Sequence, residues 1–190
     1  MPDLRGHGLS PRGEYTPRAW ADDLFETLPS GVDLAIGHSL GGMSLGLAVD
    51  RLGPRRAVFV DPAWKLTSEQ HRRYALQFHE ELTWDENSLR LEHPRWADED
   101  IEARIASMAR FDPRCIEGLL PGPGHDHAPR SPSTKSLVIL ADPSDLVPPP
   151  DADALRRAGF DVVAVPRSGH SIFRDDLPGF LAALDAWLSP

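Results

Sequence analysis

Ser39 lies in a short segment whose residue types suit nucleophilic catalysis. Residues 37–42 read GHSLGG, between the apolar run 32–36 and the helix-like stretch 43–52. A serine at a sharp turn from strand to helix has a strained backbone and an exposed hydroxyl at the top of a parallel sheet. The glycines two positions to either side are expected where strand and helix approach too closely for a side chain. This context predicts that Ser39 is a nucleophile.

His170 has the position expected of the base that such a serine needs. A serine hydroxyl attacks efficiently only when a neighbouring base removes its proton. Residues 161–165 read as a strand, and the short loop PRSGH then ends at His170. A loop at this end of the sheet can reach over towards Ser39. The order serine, acid, histidine is the one known for nucleophile-elbow enzymes. We therefore predict that His170 is the general base.

Three aspartates follow predicted strands and are candidates for the acid that orients the imidazole. Asp145 lies a few residues beyond strand 136–141, in a loop that can turn its carboxylate towards a histidine. Asp142 lies closer to the strand end, where it is also placed to cap the turn opened by Pro143. Asp61 directly follows strand 57–60. We rank Asp145 first, Asp142 second and Asp61 third, and leave the choice to the geometry.

The elements that carry these residues alternate between strands and helices, which predicts an α/β fold with a mostly parallel sheet. A helix over residues 15–28 is expected to begin with Thr16 as N-cap and Pro17 as first helical residue. Residues 151–158 and Leu177–Leu188 are predicted as the later helices. The strands and helices thus place Ser39 and His170 at the same edge of one sheet.

About seventy residues separate strands 57–60 and 136–141, far more than a crossover connection needs. Thr67 and Gln70 form a capping box before a predicted helix. Asp98 is expected to cap a second helix with Ile101, Ile105 and Met108 on one face, and a third helix is expected over residues 114–120. A Pro/Gly-rich linker, 121–132, leads back to the sheet. The aromatic residues expected either to line an acyl pocket or to pack against the sheet are Trp64, Trp84, Trp96, Phe78 and Phe111.

Four motifs together resemble those of cap-bearing serine hydrolases of the α/β-hydrolase family: DLRGHGLS at 3–10, the turn around Ser39, DLVP at 145–148 and GHS at 169–171. The resemblance implies the C-terminal part of that family's sheet, formed by residues 1–61 and 133–190, and a helical cap over 62–132. It also implies hydrolysis of an ester or similar acyl bond, with the Leu40 amide as oxyanion donor. Relatives that open epoxides or remove halides use aspartate at the elbow, and Ser39 argues against those activities.

Two other functions stay open at this point. The combination of a serine, a histidine and an acid also catalyses the hydrolysis of carbon–carbon bonds. Alternatively, a chain without a complete oxyanion hole can be weakly active or non-catalytic. The resemblance implies further strands and a donor loop before residue 3, where only Met1 and Pro2 stand. We therefore expect a truncated gene model, an open apolar edge at the nucleophile strand, and a homo-oligomer formed through that edge.

Composition limits the partners and the compartment. The chain has 190 residues and a formal net charge of −9 without a basic cluster, so neither nucleic acid nor an anionic membrane is an expected partner. The single Cys115 leaves no internal disulfide and fits a reducing, cytoplasmic compartment. No cofactor is implied. Residues 125–127 read HDH but lack a Cys or Glu partner at ligand spacing, so no metal role is expected. The expected ligand is a small acyl substrate.

Overall fold

Within the part of the chain that the structure describes, four parallel strands form one sheet and pair in chain order. The computed structural model describes residues 1–119 and 126–189. In it, β1 (Ala35–His38) pairs with β2 (Arg56–Val60), β2 with β3 (Lys135–Asp142), and β3 with β4 (Asp161–Pro166). The predicted α/β fold is confirmed. Among the described strands β1 therefore lies at one edge of the sheet.

The two central strands are buried on both faces, as parallel strands covered by helices must be. Successive side chains of a strand point to opposite faces. Ala57 and Phe59 of β2 accordingly pack into one apolar cluster, with Trp20 and Met43, while Val58 and Val60 pack into the other. The sheet is thus a rigid support for the loops at its carboxyl end.

Eight α-helices and one 3-10 helix are described. They are α1 (Pro17–Thr27), α2 (Leu40–Leu52), α3 (Ser68–Glu81), α4 (Glu86–Glu92), α5 (Asp98–Met108), the 3-10 helix Pro113–Leu119, α6 (Pro149–Arg157), α7 (Ile172–Asp175) and α8 (Leu177–Leu188). The helices α3 to α5 and the 3-10 helix form the insertion between β2 and β3. No described helix has the length and apolar character needed to cross a membrane.

Capping chemistry explains two helix starts that the sequence predicted. The Thr16 hydroxyl accepts a hydrogen bond from the Ala19 amide at 3.1 Å. In the capping box, the Thr67 hydroxyl accepts from the Gln70 amide, and the Gln70 side chain accepts from the Thr67 amide. Both predictions are confirmed because each cap is a local contact between residues three apart.

Other predicted boundaries differ from the structure. The nucleophile strand is Ala35–His38 rather than 32–36, because the chain bends at Asp33 and only then becomes a regular strand. Asp98 is the first residue of α5, and Ala97 is its N-cap, with no side-chain cap.

The insertion also departs from the predicted helices. The Asp85 carboxylate caps α4, which the sequence analysis missed. Ile101 is buried but Ile105 is exposed, so the predicted apolar face of α5 is wrong at that position. The third helix is a 3-10 helix rather than an α-helix. Residue 120 and the first five residues of the predicted linker, 121–125, lie outside the described residues.

A buried carboxylate ties the N-terminal loop to the end of the insertion. Asp112 accepts hydrogen bonds from the Tyr15 hydroxyl at 2.6 Å and from Arg114, and Arg12 Nη1 lies 2.7 Å from the same carboxylate. These hydrogen bonds, that of Arg114 first, hold the pKa of Asp112 well below its ordinary value. The ionised form is therefore favoured in the folded protein.

We expect Asp112→Asn to lower the melting temperature at pH 7, with the difference from wild type narrowing at low pH. A depressed folded-state pKa contributes stability above the ordinary aspartate pKa, about 3.9, and this contribution is lost as the pH falls below it. Thermal unfolding followed by circular dichroism from pH 7 to pH 3 measures this. Asp33→Asn is the control, because the Asp33 side chain is 79% exposed and lies 3.5 Å from Arg55. A difference that does not depend on pH would contradict the account.

Candidate functional site

Ser39 occupies the sharp turn between β1 and α2. Its backbone has φ 52° and ψ −118°, a left-handed conformation that is strained for a side chain with a Cβ. Three hydrogen bonds hold it there: the Ser39 amide donates to the Val60 carbonyl at 3.0 Å, and the Ser39 carbonyl accepts from Met43 and Ala63. The neighbouring strand and the first turn of α2 thus fix the elbow that the sequence predicted.

Close approach of backbone requires glycine at two positions around this turn. A Cβ on Gly37 would lie 2.5 Å from the Gly41 carbonyl oxygen, which confirms the prediction for Gly37. A Cβ on Gly41 would meet nothing within 4 Å, so the prediction that Gly41 is needed for close packing is wrong. Gly42 has that role instead, because its Cβ would lie 2.9 Å from the Cβ of Pro62.

His170 and Asp61 form the central contact of the site. His170 Nδ1 lies 2.7 Å from Asp61 Oδ2, and the Asp61 side chain is 2% exposed. The other Asp61 oxygen accepts from the Ser144 hydroxyl at 2.6 Å. A carboxylate can only accept this bond, so Nδ1 carries the proton and Nε2 of the neutral ring is free to act as a base. Asp61, directly after β2, was the third-ranked candidate.

Asp145, the first-ranked acid, does not reach His170. Its carboxylate accepts hydrogen bonds from Arg73 and from the Tyr74 hydroxyl, both on α3, and its carbonyl accepts from Gln70 at 2.7 Å. The loop after β3 thus turns this side chain outwards to the insertion.

Asp142, the second-ranked acid, is exposed, and its carboxylate makes no hydrogen bond to a described residue. It therefore caps no turn at Pro143. Of the three aspartates, only Asp61 lies at hydrogen-bond distance from the imidazole.

His38 links the nucleophile turn to the loop that carries His170. The two imidazole centroids are 4.6 Å apart, and His38 Nε2 lies 2.9 Å from the His170 carbonyl oxygen. Since a carbonyl accepts, the proton of neutral His38 is on Nε2. Burial, followed by the proximity of His170, lowers the pKa of His38 to about 4. His38 therefore remains neutral at pH 7 and positions the loop without adding charge.

The hydroxyl of Ser39 and the amide of Leu40 are both available. Ser39 Oγ makes no hydrogen bond to a described residue, and catalytic hydrogen bonds of this kind often tighten only when substrate binds. Leu40 is the first residue of α2, and a first-turn amide has no acceptor within its own helix. This end of the helix also carries a partial positive charge. An anion forming beside Ser39 is therefore favoured.

Sequence comparison places the chain in a family. The model of the alpha/beta hydrolase family matches residues 1–184, almost the entire chain. The chain belongs to the alpha/beta hydrolase family. The resemblance inferred from the four sequence motifs is thereby confirmed. No curated protein matches this hydrolase-family chain in a sequence search.

Solved structures show the same fold at low identity. An N-formylmaleamic acid deformylase from Pseudomonas putida is 21% identical, with a TM-score of 0.70 over 96% of this chain and 79% of its own. An E-2-(acetamidomethylene)succinate hydrolase is 22% identical, with a TM-score of 0.77 over 98% and 79%. An esterase from Exiguobacterium antarcticum is 14% identical, with a TM-score of 0.72 over 97% and 79%. These likenesses concern the fold.

The sheet edge at β1 bears on the expected oligomer. The edge position of β1, with Ile36 48% exposed, fits the expected open edge. Oligomerisation through this edge stays a prediction. Within the described ranges no group of three or more His, Cys, Asp or Glu residues is arranged to hold a metal ion. His125 of the HDH segment lies outside those ranges.

Proposed function

We propose that this protein is a serine hydrolase that cleaves a carboxylic ester or a similar acyl bond through an acyl-serine intermediate. The observation that carries the proposal is the 2.7 Å contact between His170 Nδ1 and the buried carboxylate of Asp61, next to the strained turn at Ser39. A histidine oriented in this way presents Nε2 as a general base. The family membership supports the same class of reaction.

Each residue has a defined part in the proposed reaction. As Ser39 Oγ attacks the acyl carbon, His170 Nε2 takes its proton, and the Leu40 amide donates to the developing oxyanion. His170 then returns the proton to the leaving alcohol, which departs and leaves the acyl-serine ester. Water repeats the sequence in the second half and releases the acid. Asp61 keeps the imidazole in the correct tautomer and stabilises the imidazolium without becoming protonated.

We propose that the helical insertion serves as the cap of this site. Asp145 ties α3 to the loop after β3 through Arg73 and Tyr74. Trp96, just before α5, donates from Nε1 to Asp175 of α7 at 3.0 Å. Two sides of the insertion are thus attached to loops at the carboxyl end of the sheet. A cap in this position would exclude water and hold the acyl group.

A fluorophosphonate probe tests the nucleophile. We expect the probe to label wild-type protein at Ser39, because it reacts with serines that a base activates. Labelling is expected to disappear in Ser39→Ala and to be suppressed in His170→Ala. It is measured by intact mass and by peptide mapping.

Ser44→Ala is the matched control, since Ser44 lies in the same helix start but is buried and donates to the Leu40 carbonyl at 2.8 Å. This variant should be labelled like wild type. Labelling that persists in Ser39→Ala would refute the assignment. A folded wild-type protein that takes no label would favour the non-catalytic alternative.

A further inference from the structure

Arg174 lies in α7, four residues after His170, and its guanidinium faces the helical insertion. Its side chain is 21% exposed, and Cζ lies 4.6 Å from the centroid of the Trp96 ring. The nearest carboxylate oxygen is Oδ1 of Asp100, 3.4 Å from Nε. Arg174 is therefore a largely buried cation at the contact between α7 and the insertion.

The described residues leave the hydrogen-bonding capacity of this guanidinium unused. An arginine side chain carries five N–H donors. The Nε of Arg174 is buried without a hydrogen bond, and neither Nη atom donates to a described residue. Nearby Arg104, by contrast, donates to Glu81. The buried Nε without an acceptor is costly, and the two Nη atoms, which are not buried, can donate to a molecule that enters from solvent, so this arrangement favours an added anion.

The charge around Arg174 supports the same conclusion. Burial is the main cause that lowers the pKa of Arg174, and the positive charge of Arg104 acts in the same direction. The negative charge of Asp100 raises this pKa, but it does not offset the effects of burial and of Arg104. A second carboxylate would supply the negative charge that this environment lacks.

This guanidinium borders the proposed active site. Trp96 is held by Asp175, whose other oxygen accepts from the amide of Gly169 at 2.6 Å, and Gly169 directly precedes His170. Phe173, next to Arg174, packs its ring at 5.1 Å from that of His38. Arg174 Cζ lies 5.8 Å from the centroid of the same Phe173 ring, and its positive charge is one of the causes that lower the pKa of His38, so the guanidinium lies near the two imidazoles.

We propose that Arg174 binds a free carboxylate of the substrate, so that the preferred substrates are acyl compounds bearing a second, ionised carboxyl group. This inference rests on the proposed function. The planar fork of a guanidinium matches a carboxylate with two parallel hydrogen bonds, and partial exclusion of water strengthens them. The Trp96 ring stabilises the guanidinium through a cation–π contact, with Cζ 4.6 Å from the ring centroid.

Two matched substrate pairs test the proposal. One pair is 4-nitrophenyl hydrogen adipate and its methyl ester, with a charge on the acyl side; the other is 4-acetoxybenzoate and its methyl ester, with a charge on the leaving group. We expect wild type to prefer the anionic member of at least one pair in kcat/KM. Arg174→Met should lower that anionic-to-neutral ratio roughly 10- to 100-fold, the effect of a charge-assisted hydrogen bond. The ratio for Arg174→Lys should lie between those of wild type and Arg174→Met, because lysine keeps the positive charge but lacks the planar fork of the guanidinium.

Asp100→Asn separates substrate binding from a structural role. If Arg174 binds substrate, removing the neighbouring carboxylate should keep or raise the anionic-to-neutral ratio. If Arg174 serves only to hold α5 through Asp100, Asp100→Asn and Arg174→Met should each lower activity equally on the anionic and the neutral ester of a pair. The anionic-to-neutral ratio would then be unchanged. That second result, or a wild-type ratio near one in both pairs, would overturn the proposal.

A binding measurement distinguishes failure of this inference from failure of the proposed function. Adipate and 4-hydroxybenzoate, the charged products of the two pairs, are each titrated calorimetrically into Ser39→Ala and into Ser39→Ala/Arg174→Met. We expect the second protein to bind the product of the preferred pair roughly 10- to 100-fold more weakly. Equal affinities, or no binding to Ser39→Ala, would refute the role of Arg174 even if esters are hydrolysed. Arg174-dependent binding without turnover would refute the hydrolase proposal alone.

Discussion

Asp61→Asn is expected to lower kcat for hydrolysis of a neutral 4-nitrophenyl ester by about 10⁴-fold. The His170 Nδ1–H now donates to a buried carboxylate oxygen at 2.7 Å. An asparagine there can present its NH₂ group to Nδ1, which moves the imidazole proton to Nε2, where a base is needed. The loss should appear in kcat, because Asp61 is buried away from the substrate.

Asp145→Asn is the matched control, since it makes the same chemical change in the other strand-end aspartate. The Asp145 side chain is 57% exposed and contacts Arg73 and Tyr74 rather than His170. We expect a small loss of activity, through a looser attachment of α3. Steady-state rates of the two variants, compared at equal folded concentration, decide between them. A larger loss in Asp145→Asn than in Asp61→Asn would return the assignment to the loop after β3.

Ser39→Ala is expected to lower kcat further, by about 10⁶-fold, the size found when the serine of such a catalytic unit is removed. The reason is that no other group in the proposed reaction attacks the acyl carbon. His170→Ala should lose about as much. Because serine and histidine act together, the double variant Ser39→Ala/His170→Ala should be little worse than either single variant.

Initial rates on a neutral 4-nitrophenyl ester, corrected for spontaneous hydrolysis, measure this series. Circular dichroism confirms that each variant is folded, which matters because Ser39 is in a strained turn. Losses that simply multiply in the double variant would show that the two residues act independently. A Ser39→Ala protein that retains wild-type turnover would place the nucleophile elsewhere.

The sequence predicted those parts of the structure that depend on local patterns. The Thr67 and Gln70 capping box involves neighbours on one helix turn, and it is present as predicted. Alternation of apolar runs and helix-like stretches predicted a parallel sheet, and the described residues contain four parallel strands. The turn at Ser39 follows from small residues at fixed offsets, although the crowded glycine is Gly42 rather than Gly41.

The acid could not be selected from the sequence because the direction of a loop depends on distant partners. Asp145 lies a few residues beyond a strand, where its carboxylate could reach a histidine. Instead, it accepts hydrogen bonds from Arg73 and Tyr74 of α3, which precede it by more than seventy positions. Asp61 follows β2 with a positive φ of 38°, which no local pattern around it indicated. Its partner Ser144 comes from the loop after β3.

The role of Arg174 and the contact of His38 with the loop of His170 were missed for a similar reason. In the sequence each of these two is a single polar residue next to a motif. Only the three-dimensional arrangement shows that His38 contacts the His170 carbonyl and that the Arg174 donors have no acceptor among the described residues. Unsatisfied hydrogen-bonding capacity is a property of packed atoms, and it has no counterpart in residue spacing.

The covalent intermediate tests the central proposal most directly. Wild-type protein mixed with a slowly deacylating 4-nitrophenyl ester and quenched in acid should gain the mass of one acyl group. Fragmentation should locate that group on the peptide containing Ser39, and Ser39→Ala should gain no mass. An acyl group on any other residue, or ester hydrolysis by wild type with no acyl-protein at any quench time and unaffected by Ser39→Ala, would contradict the account.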